Sequence, residues 1–528
     1  MEISEDNEIF SRWKPISGNH KQHPSIMYES ERLASVDLPK KEIELHINTY
    51  NVNSPNDFIS DVQVEAISYA VQCFENKNNI DSGTRGFILG DGTGSGKSRT
   101  ISGILAECYI RNPTNFRAIW VSLNQKLERT MKEEYSINHA LGNVCPRWLS
   151  FDDMDRDGVL YVTYSNFLND DKFLSILKFL NTDNTLLIFD ESHYLKNKNS
   201  QTAKKMMQLQ NEFENPRVIY STATSASNVR QMHYMTRLGL FEDHKHFVRE
   251  LEYYGNAAME MSAIQLKYSG HMISRQLGLH DIKIDVVVCK ISSEEQSLYD
   301  HLSHLFFQKR YEISTIDKSN FYQYLILSIK MKHLVTHVKK HLAENKSIVI
   351  GLNSTCDGHK SPLHDLLAKY GIESGVEHMI NPLDNLINEF GVENVAEISG
   401  RQNRLIFNAA RNVYEVRRVP STAKEIDAFQ RDRKQIAIIT RAGNAGISLH
   451  SSQIESRQRY HIIFEIPKSA DLVVQQIGRT HRTTMNTHKP RYSFFISNIP
   501  AEMRFVFGIT TKLEKLGALT KVINAQVF

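Results

Sequence analysis

Phe87-Ile-Leu-Gly-Asp-Gly-Thr-Gly-Ser-Gly-Lys-Ser-Arg-Thr100 is the stretch that decides how the rest of the chain is read. Its apolar opening, Phe87 to Leu89, predicts a short buried strand, and a glycine-rich turn follows at once. From Lys97 onward the apolar residues Ile101, Ile104, Leu105 and Cys108 recur at i, i+3, i+4 and i+7, the spacing of one helical face. Strand, glycine turn and helix together are the setting of a phosphate-binding loop. Gly92, Thr93, Gly94, Ser95 and Gly96 are expected to turn backbone N–H groups toward a polyphosphate, with the positive end of the helix behind them. Lys97 is the predicted contact to the β- and γ-phosphates of ATP, and the Ser98 hydroxyl is the predicted ligand of Mg²⁺. Asp91 stands where the strict pattern has its first glycine.

The chain around this loop has 528 residues, enough for two or three domains with ample core. A composition of 41% hydrophobic and 23% charged residues is that of a globular protein. The formal net charge is only +3, so contact with nucleic acid must rest on local basic surface rather than on a global field. Met1-Glu-Ile-Ser-Glu-Asp-Asn-Glu8 is acidic and unlike a signal or transit peptide. No run of about 18 apolar residues occurs, so no membrane contact is expected. Cys73, Cys108, Cys145, Cys289 and Cys356 are scattered without a C-x-x-C pair, which argues for a reducing compartment and against zinc or a disulfide frame.

Residues 1–57 are polar and weakly patterned and read as an extended N-terminal arm. A helix is predicted from Ser60, with Val64, Ile67, Val71 and Phe74 on one face. Gln63 admits two readings that do not exclude each other. One is a capping box with Ser60; the other is the contact to the adenine edge that a glutamine upstream of the phosphate loop makes in superfamily 2 ATPases. Beyond the loop, Ala118–Ser122, Gly158–Tyr164 and Thr185–Phe189 are short apolar strands separated by helical stretches, the pattern of a parallel sheet covered on both faces. The last of them runs into Asp190-Glu191-Ser192-His193, placing carboxylates at the carboxyl end of a parallel strand, where open α/β sheets bind ligands. Asp190 is predicted to hold Mg²⁺ through water and Glu191 to act as general base on the attacking water. His193 is placed to sense the γ-phosphate. The strand Arg217–Tyr220 leads into Ser221-Thr-Ala-Thr-Ser-Ala-Ser227, whose Thr222 and Thr224 either couple to His193 or form a plain Ser/Thr turn.

In the second half, Ile284–Val288, Ile348–Leu352 and Ile436–Ile439 are predicted strands. Helices are expected across 293–345, and a β-hairpin is read at 404–417. Thr440-Arg-Ala-Gly-Asn-Ala-Gly-Ile-Ser-Leu449 is a glycine loop after a strand, with Gly446 allowing close backbone approach and Ser448 offering a hydroxyl. Gln475-Gln-Ile-Gly-Arg-Thr-His-Arg482 matches the pattern Q-x-x-G-R-x-x-R. Arg479 and Arg482, three apart, are expected on one helical face, with guanidinium forks suited to bidentate phosphate binding. Arg482 is assigned as the arginine finger, Arg479 as its companion, and Gln475 as a contact to the nucleotide or its water network.

The segments Gly90–Lys97, Phe189–His193 with Lys196-Asn197, and Tyr220–Ser227 running on to Met235-Thr-Arg-Leu-Gly-Leu240 resemble the strawberry notch family of superfamily 2 helicase-like ATPases. Gly255–Glu260, Ser274-Arg-Gln-Leu277, Val349–Leu352, Val395–Arg401, Ala445–Leu449 and Glu514–Thr520 are similar to that family as well. Ser98 replaces a glycine usual there, and Ser192 a cysteine; both changes lean toward the general helicase pattern. The resemblance implies an α/β fold of two RecA-like domains, each a parallel sheet flanked by helices, with nucleic-acid-stimulated hydrolysis of ATP and Mg²⁺ as its metal. Animal members carry long flanking regions, so the shortness of this chain points to the compact versions of large DNA viruses and phages.

The expected organisation is an arm at 1–57, an ATP-binding domain at 58–240, a helical bridge at 241–280 and a second domain at 281–528. The expected activity is helicase or duplex translocase, with DNA favoured over RNA as the partner gripped through its phosphates. Transcription or replication proteins are possible further partners. The expected setting is soluble and intracellular, whether nucleus, cytoplasm or virus factory. A regulator that uses ATP as a clamp switch without strand separation is the second reading. A catalytically inactive scaffold is the third, opposed by the intact Lys97, Asp190, Glu191, Arg479 and Arg482.

Overall fold

The computed structural model describes residues 10–15, 20–54, 57–92, 94–125, 127–180, 182–222, 232–240, 256–277, 284–353, 362–372, 381–408, 410–440, 447, 449–451, 457–467, 470–481, 488–515 and 526–527. Two units divide the chain, Met1–Gly278 and Leu279–Phe528.

The strands of unit 1 are β1 (Phe10–Arg12), β2 (Met27–Ser30), β3 (Gly86–Leu89), β4 (Arg117–Ser122), β5 (Trp148–Leu149), β6 (Gly158–Thr163), β7 (Thr185–Phe189), β8 (Arg217–Ser221), β9 (Met272–Ile273) and β10 (Gln276–Leu277). Seven of them form one sheet in the order β5-β6-β4-β7-β8-β3-β9, with every pairing parallel. Its helices are α1 (Asp61–Glu75), α2 (Lys97–Arg111), α3 (Leu127–Ala140), α4 (Asp170–Phe179), α5 (Gln201–Glu212) and α6 (Asn256–Tyr268). Alternation along the strands sends Phe87, Leu89, Trp120, Tyr161 and Ile188 to one face, under α1, α2 and α3. Ile88, Val121, Val162, Phe189 and Tyr220 go to the other, under α4 and α5. A sheet buried on both faces needs strands that are apolar at every position, which is why these runs show no polar alternation.

The N-terminal segment lies along this body. Glu107 of α2, fully buried, accepts the backbone N–H groups of His46 and Ile47 at 2.8 and 3.0 Å, and Asn48 exchanges hydrogen bonds with Asn143. Residues 256–277, which the sequence reading gives to an interdomain bridge, pack inside unit 1 instead. The cause is the outer edge of β3, whose backbone groups need partners. Ile88, Gly90 and Gly92 donate their N–H groups to the carbonyls of His271, Ile273 and Arg275 at 2.8, 2.7 and 2.7 Å.

Unit 2 contains β11 (Ile284–Cys289), β12 (Ser347–Gly351), β13 (Val395–Ile398), β14 (Asn403–Asn408), β15 (Val413–Arg418), β16 (Ile436–Ile439), β17 (Arg459–Ile463), β18 (Arg491–Ser497) and β19 (Gln526–Val527). Its helices are α7 (Ser293–Gln308), α8 (Thr315–Ala343), α9 (Pro362–Lys369), α10 (Pro382–Phe390), α11 (Thr422–Gln430), α12 (Ala470–Ile477) and α13 (Pro500–Lys515). The order β13-β16-β12-β17-β18-β11-β19 is again wholly parallel. Taken strand for strand it is the same permutation as in unit 1, with β11 in the place of β3 and β12 in the place of β4. The predicted hairpin is present as β14 and β15, paired only with each other.

Candidate functional site

Four parallel strands of unit 1 end together and deliver the predicted residues. Strand β3 feeds the glycine loop, β7 feeds Asp190 and Glu191, β8 feeds Thr222, and β4 ends at Ser122. In the loop, Gly94 and Gly96 adopt φ of 90° and 83°, a backbone that side chains disfavour. A Cβ on Gly96 would lie 2.2 Å from the amide nitrogen of Gln63. Gln63 thus ties two elements together. Its Oε1 accepts the Ser60 N–H at 2.9 Å, and its Nε2 donates to the carbonyls of Ser95 and Gly96 at 3.4 Å. The capping reading is met, and the same side chain braces the loop.

Lys97 opens α2 and turns its ammonium back onto the carbonyls of Asp91 and Gly92, at 2.8 and 3.3 Å. No acidic residue occupies the first turn of this helix, so its N-terminal N–H groups face an uncompensated positive end. Ser98 is half-buried on the same turn. Gly92 is buried and receives the Ser95 hydroxyl at 2.8 Å.

Across the loop, Asp190 is buried between two hydroxyls: Ser122 Oγ donates to one carboxylate oxygen at 3.2 Å and Ser221 Oγ to the other at 3.1 Å. Burial and the neighbouring Glu191 push its pKa up to about 6, while Lys97 and the two serines pull it back. Glu191 follows at φ 50°, a left-handed conformation in a residue with a full side chain. Such strain costs about 1–3 kcal/mol and persists where surrounding structure imposes it. It brings the Glu191 carboxylate to 3.3 Å from His193 Nδ1. His193 Nδ1 in turn lies 3.4 Å from Thr222 Oγ1, and the Thr222 N–H donates to Leu89 O of β3 at 3.1 Å. A continuous path therefore joins the acidic pair to the strand that carries the loop.

Sequence reasoning missed the residue that organises this end of the sheet. Arg275 is about 1% exposed. It binds Asp91 with Nε at 3.0 Å and Nη2 at 2.7 Å, binds Glu65 of α1 with Nη1 at 2.6 Å, and donates to Val62 O at 2.8 Å. Asp91, which departs from the strict pattern, is the acceptor this fork requires. Burial drives the Glu65 carboxyl up to about 7 against the opposing pull of Arg275. The sequence offers an acid at a glycine position and a family likeness at Ser274-Arg-Gln-Leu277, and neither says that Asp91 and Arg275 meet.

In unit 2 the expectation of two arginines on one helical face is corrected. Helix α12 ends at Ile477, and Arg479 lies in the turn after it, its N–H on Gln476 O at 3.1 Å and its carbonyl accepting Leu449 N–H at 2.7 Å. Gly478 interrupts the helix, and Thr480 holds the turn by bonding His461 Nδ1 at 3.0 Å and the hydroxyl of Tyr492 at 3.2 Å. Gln475 is half-buried, whereas Gln476 is buried against Gly351 at the end of β12. Thr93, Thr224, Gly446, Ser448 and Arg482 lie outside the described residues.

The residues present fit Mg²⁺ and a nucleoside triphosphate. The loop offers an open helix N-terminus, the Lys97 ammonium on backbone carbonyls and a hydroxyl at Ser98, and β7 adds the buried carboxylate of Asp190. That matches magnesium, which takes one or two protein oxygens and leaves its other positions to phosphate and water. No helix among the described residues is long and apolar enough to cross a membrane.

Residues 22–301 match the family described as P-loop containing NTP hydrolase pore-1, and residues 381–525 match the C-terminal domain on strawberry notch homologues. Strawberry notch homolog 1 of Rattus norvegicus is 27% identical over 700 aligned positions, which cover 97% of this chain and 55% of that protein. Homolog 2 of Mus musculus is 26% identical over 680, covering 95% and 49%. FORGETTER 1 of Arabidopsis thaliana is 23% identical over 729, covering 94% and 56%. The chain spans about half the length of the curated relatives it matches. Among solved structures, the DUF1998 helicase MrfA bound to DNA and AMPPNP is similar at a TM-score of 0.44 and 12% identity, covering 94% of this chain and 58% of that one, a likeness too distant to argue from.

Proposed function

The chain belongs to the strawberry notch family, and from that premise we propose that it is a nucleic-acid-dependent ATPase of superfamily 2 that couples hydrolysis to movement along DNA or RNA. The observation that carries this reading is the convergence of the glycine loop, Asp190, Glu191, His193 and Thr222 at the carboxyl ends of neighbouring strands.

Lys97 would leave the carbonyls of Asp91 and Gly92 for the β- and γ-phosphates, a short displacement that exchanges neutral acceptors for charged ones. Gly94 and Gly96 shape the backbone that receives the phosphates, and Gln63 keeps that shape while its remaining polar capacity serves the adenine. Ser98 and, through water, Asp190 would hold Mg²⁺, which when bound offsets phosphate charge. Asp190 must be ionised to do so, a state that Lys97 and the Ser221 and Ser122 hydroxyls favour against its burial and the neighbouring Glu191. Glu191 takes the proton of the attacking water, its carboxylate held beside His193. His193 and Thr222 then pass the presence or loss of the γ-phosphate to Leu89 and the loop strand. Arg482 is the arginine finger and Arg479 its companion, Gln475 contacts the nucleotide or its water network, and Thr224, Gly446 and Ser448 serve in coupling. Nucleic acid would be gripped through its phosphates, with DNA favoured.

The test is ATP hydrolysis by the full chain with single-stranded DNA, duplex DNA and RNA added in turn, alongside Glu191→Gln. Stimulation by at least one of them, lost in the variant, is the expected result. Hydrolysis indifferent to all three would sink the nucleic-acid reading. Stimulation without strand displacement or translocation would favour the clamp.

A further inference from the structure

The hairpin β14–β15 is a part of unit 2 that the nucleotide chemistry leaves unused. Its two strands pair in register, with Leu405 opposite Val416 and Phe407 opposite Tyr414. Alternation puts Arg404 and Ile406 on the inner face, both buried, and Leu405, Phe407, Tyr414, Val416 and Arg418 on the outer. Phe407, Tyr414 and Val416 are 41%, 47% and 56% exposed. The two rings sit 5.1 Å apart at 55°.

A lone two-stranded ribbon is marginal in water, yet this one is firmly mounted. Asn388 of α10 grips the outer edge of β14, donating to Leu405 O at 3.0 Å and accepting Phe407 N–H at 2.7 Å. Asp384 accepts the Leu405 N–H at 3.1 Å. Beneath lies a buried ionic cluster in which Arg401 bonds Asp384 and Glu397, each at 2.6 Å, and Arg404 stands 3.8 Å from Glu397. Protein structure has thus been spent on holding two aromatic rings in solvent.

Charge says what covers them. Between Asn403 and Arg418 three exposed arginines, Arg411, Arg417 and Arg418, face the single acid Glu415, a formal +2 with the buried Arg404 left to Glu397. Glu415 is divided between Arg411 at 3.6 Å and Arg417 at 3.1 Å. Arg418 closes the foot of the ribbon on the face of the rings, and Arg411 stands at its turn with its guanidinium held toward Glu415 on the other face. Aromatic faces flanked by cations are the elements that hold a single-stranded polynucleotide, bases on the rings and phosphates on the arginines. A duplex hides its base faces, so only an unpaired strand can use the rings.

We propose that Phe407 and Tyr414 form a base-stacking platform for single-stranded nucleic acid, with Arg418 taking a flanking phosphate and Arg411 joining it on exchanging Glu415 for phosphate. This rests on the nucleic-acid reading above and names the part of unit 2 that contacts the bases. Stacking reads the base and not the sugar.

The test is equilibrium binding of the full chain to oligo(dT) and oligo(rU). Phe407→Ala and Tyr414→Ala should each weaken both by about 5- to 150-fold, the range of one stacked base. Both rings are exposed, so the fold is not at stake. Phe407→Trp should retain binding and add an emission, over that of Trp13, Trp120 and Trp148, that oligo(dT) quenches. Unchanged affinity in both alanine variants, where the unaltered chain binds oligonucleotide and is stimulated by it, overturns the platform and leaves the ATPase reading intact. Should the unaltered chain neither bind nor respond to any nucleic acid, both readings fall together.

Discussion

Where β3 ends and where β11 ends, one scaffold meets opposite chemistry. Both strands hold the same place in the same seven-strand permutation, and each is followed by a helix. After β3 the helix opens with Gly96 and Lys97, has no acid in its first turn, and leaves its N–H groups to a ligand. After β11 the helix closes on itself. Ser292 caps it, Glu294 and Glu295 fill the first turn, and the Glu295 carboxylate accepts the Ser292 N–H at 2.7 Å while Ser292 Oγ accepts the Glu295 N–H at 3.2 Å. A helix N-terminus is an anion site only while nothing in the chain neutralises it. The duplicated sheet therefore presents an open helix end at this place in unit 1 and a capped one at the same place in unit 2.

The severest way to break this division is Arg482→Ala. If unit 2 lends its finger to a site built on unit 1, turnover should fall by about 10³–10⁵-fold while nucleotide affinity stays nearly level. Arg482→Lys should recover little, because a point charge does not copy the fork. Steady-state turnover set beside a binding isotherm checks this, and near-normal turnover would detach unit 2 from the chemistry. Next in size is Glu191→Gln, expected to lower the rate by about 10²–10⁴-fold with binding retained. Loss of ATP binding in that variant would make Glu191 a structural residue.

Much of this was legible because the deciding signals are local. The glycine loop, the strand before it and the acids after β7 each need only a few neighbouring residues to be read. Strands that are apolar throughout, such as Thr185–Phe189, announce themselves for the same reason. Strand β17 did not, since Arg459 and His461 interrupt its apolar run. Both are buried, Arg459 against Asp432 at 3.0 Å and His461 against Thr480, and partners so distant in sequence cannot be inferred from the strand alone. Arg275 escaped in the same way, as did the end of α12, where Gly478 stops a periodicity that otherwise runs on to Arg482. The polar interior, satisfied across long separations, is what one sequence conceals.

That interior can be tested through Arg275. Arg275→Met leaves Asp91 and Glu65 buried and unpaired, and removing one member of such a cluster typically costs about 3–5 kcal/mol. Arg275→Lys keeps the charge without the fork and should recover part of the loss. Denaturant midpoints of the two variants measure it; equal and negligible shifts would mean that the loop is held by its backbone alone.

The smallest expected effect is also the most direct reading of the comparison, because the acids beside the two helices should titrate with opposite sign. The pKa of Asp190 is raised from 3.8 to about 6, chiefly by burial. The folded chain then holds a proton that the unfolded chain releases, so this contribution is complete below 3.8 and is lost as pH rises through about 6. Glu295 is the reverse. Its partial burial is outweighed by the Ser292 N–H and by His333 and Lys332, which bring it from 4.5 down to about 2. Its contribution is complete above 4.5 and is lost as pH falls through about 2. Asp190→Asn should therefore flatten the decline in stability between 3.8 and about 6. Glu295→Gln should leave that decline in place and remove some of the fall at lower pH; a glutamine there still accepts the Ser292 N–H, so the cost near neutrality is that of the lost ion pairs to Lys332 and His333, about 0–1 kcal/mol. Nucleotide hydrolysis should be indifferent to Glu295→Gln, since the capping box occupies that helix end. Thermal unfolding of both variants across the acid range decides it. Slopes of the same sign would mean that the two helix ends are not the open and closed versions of one device.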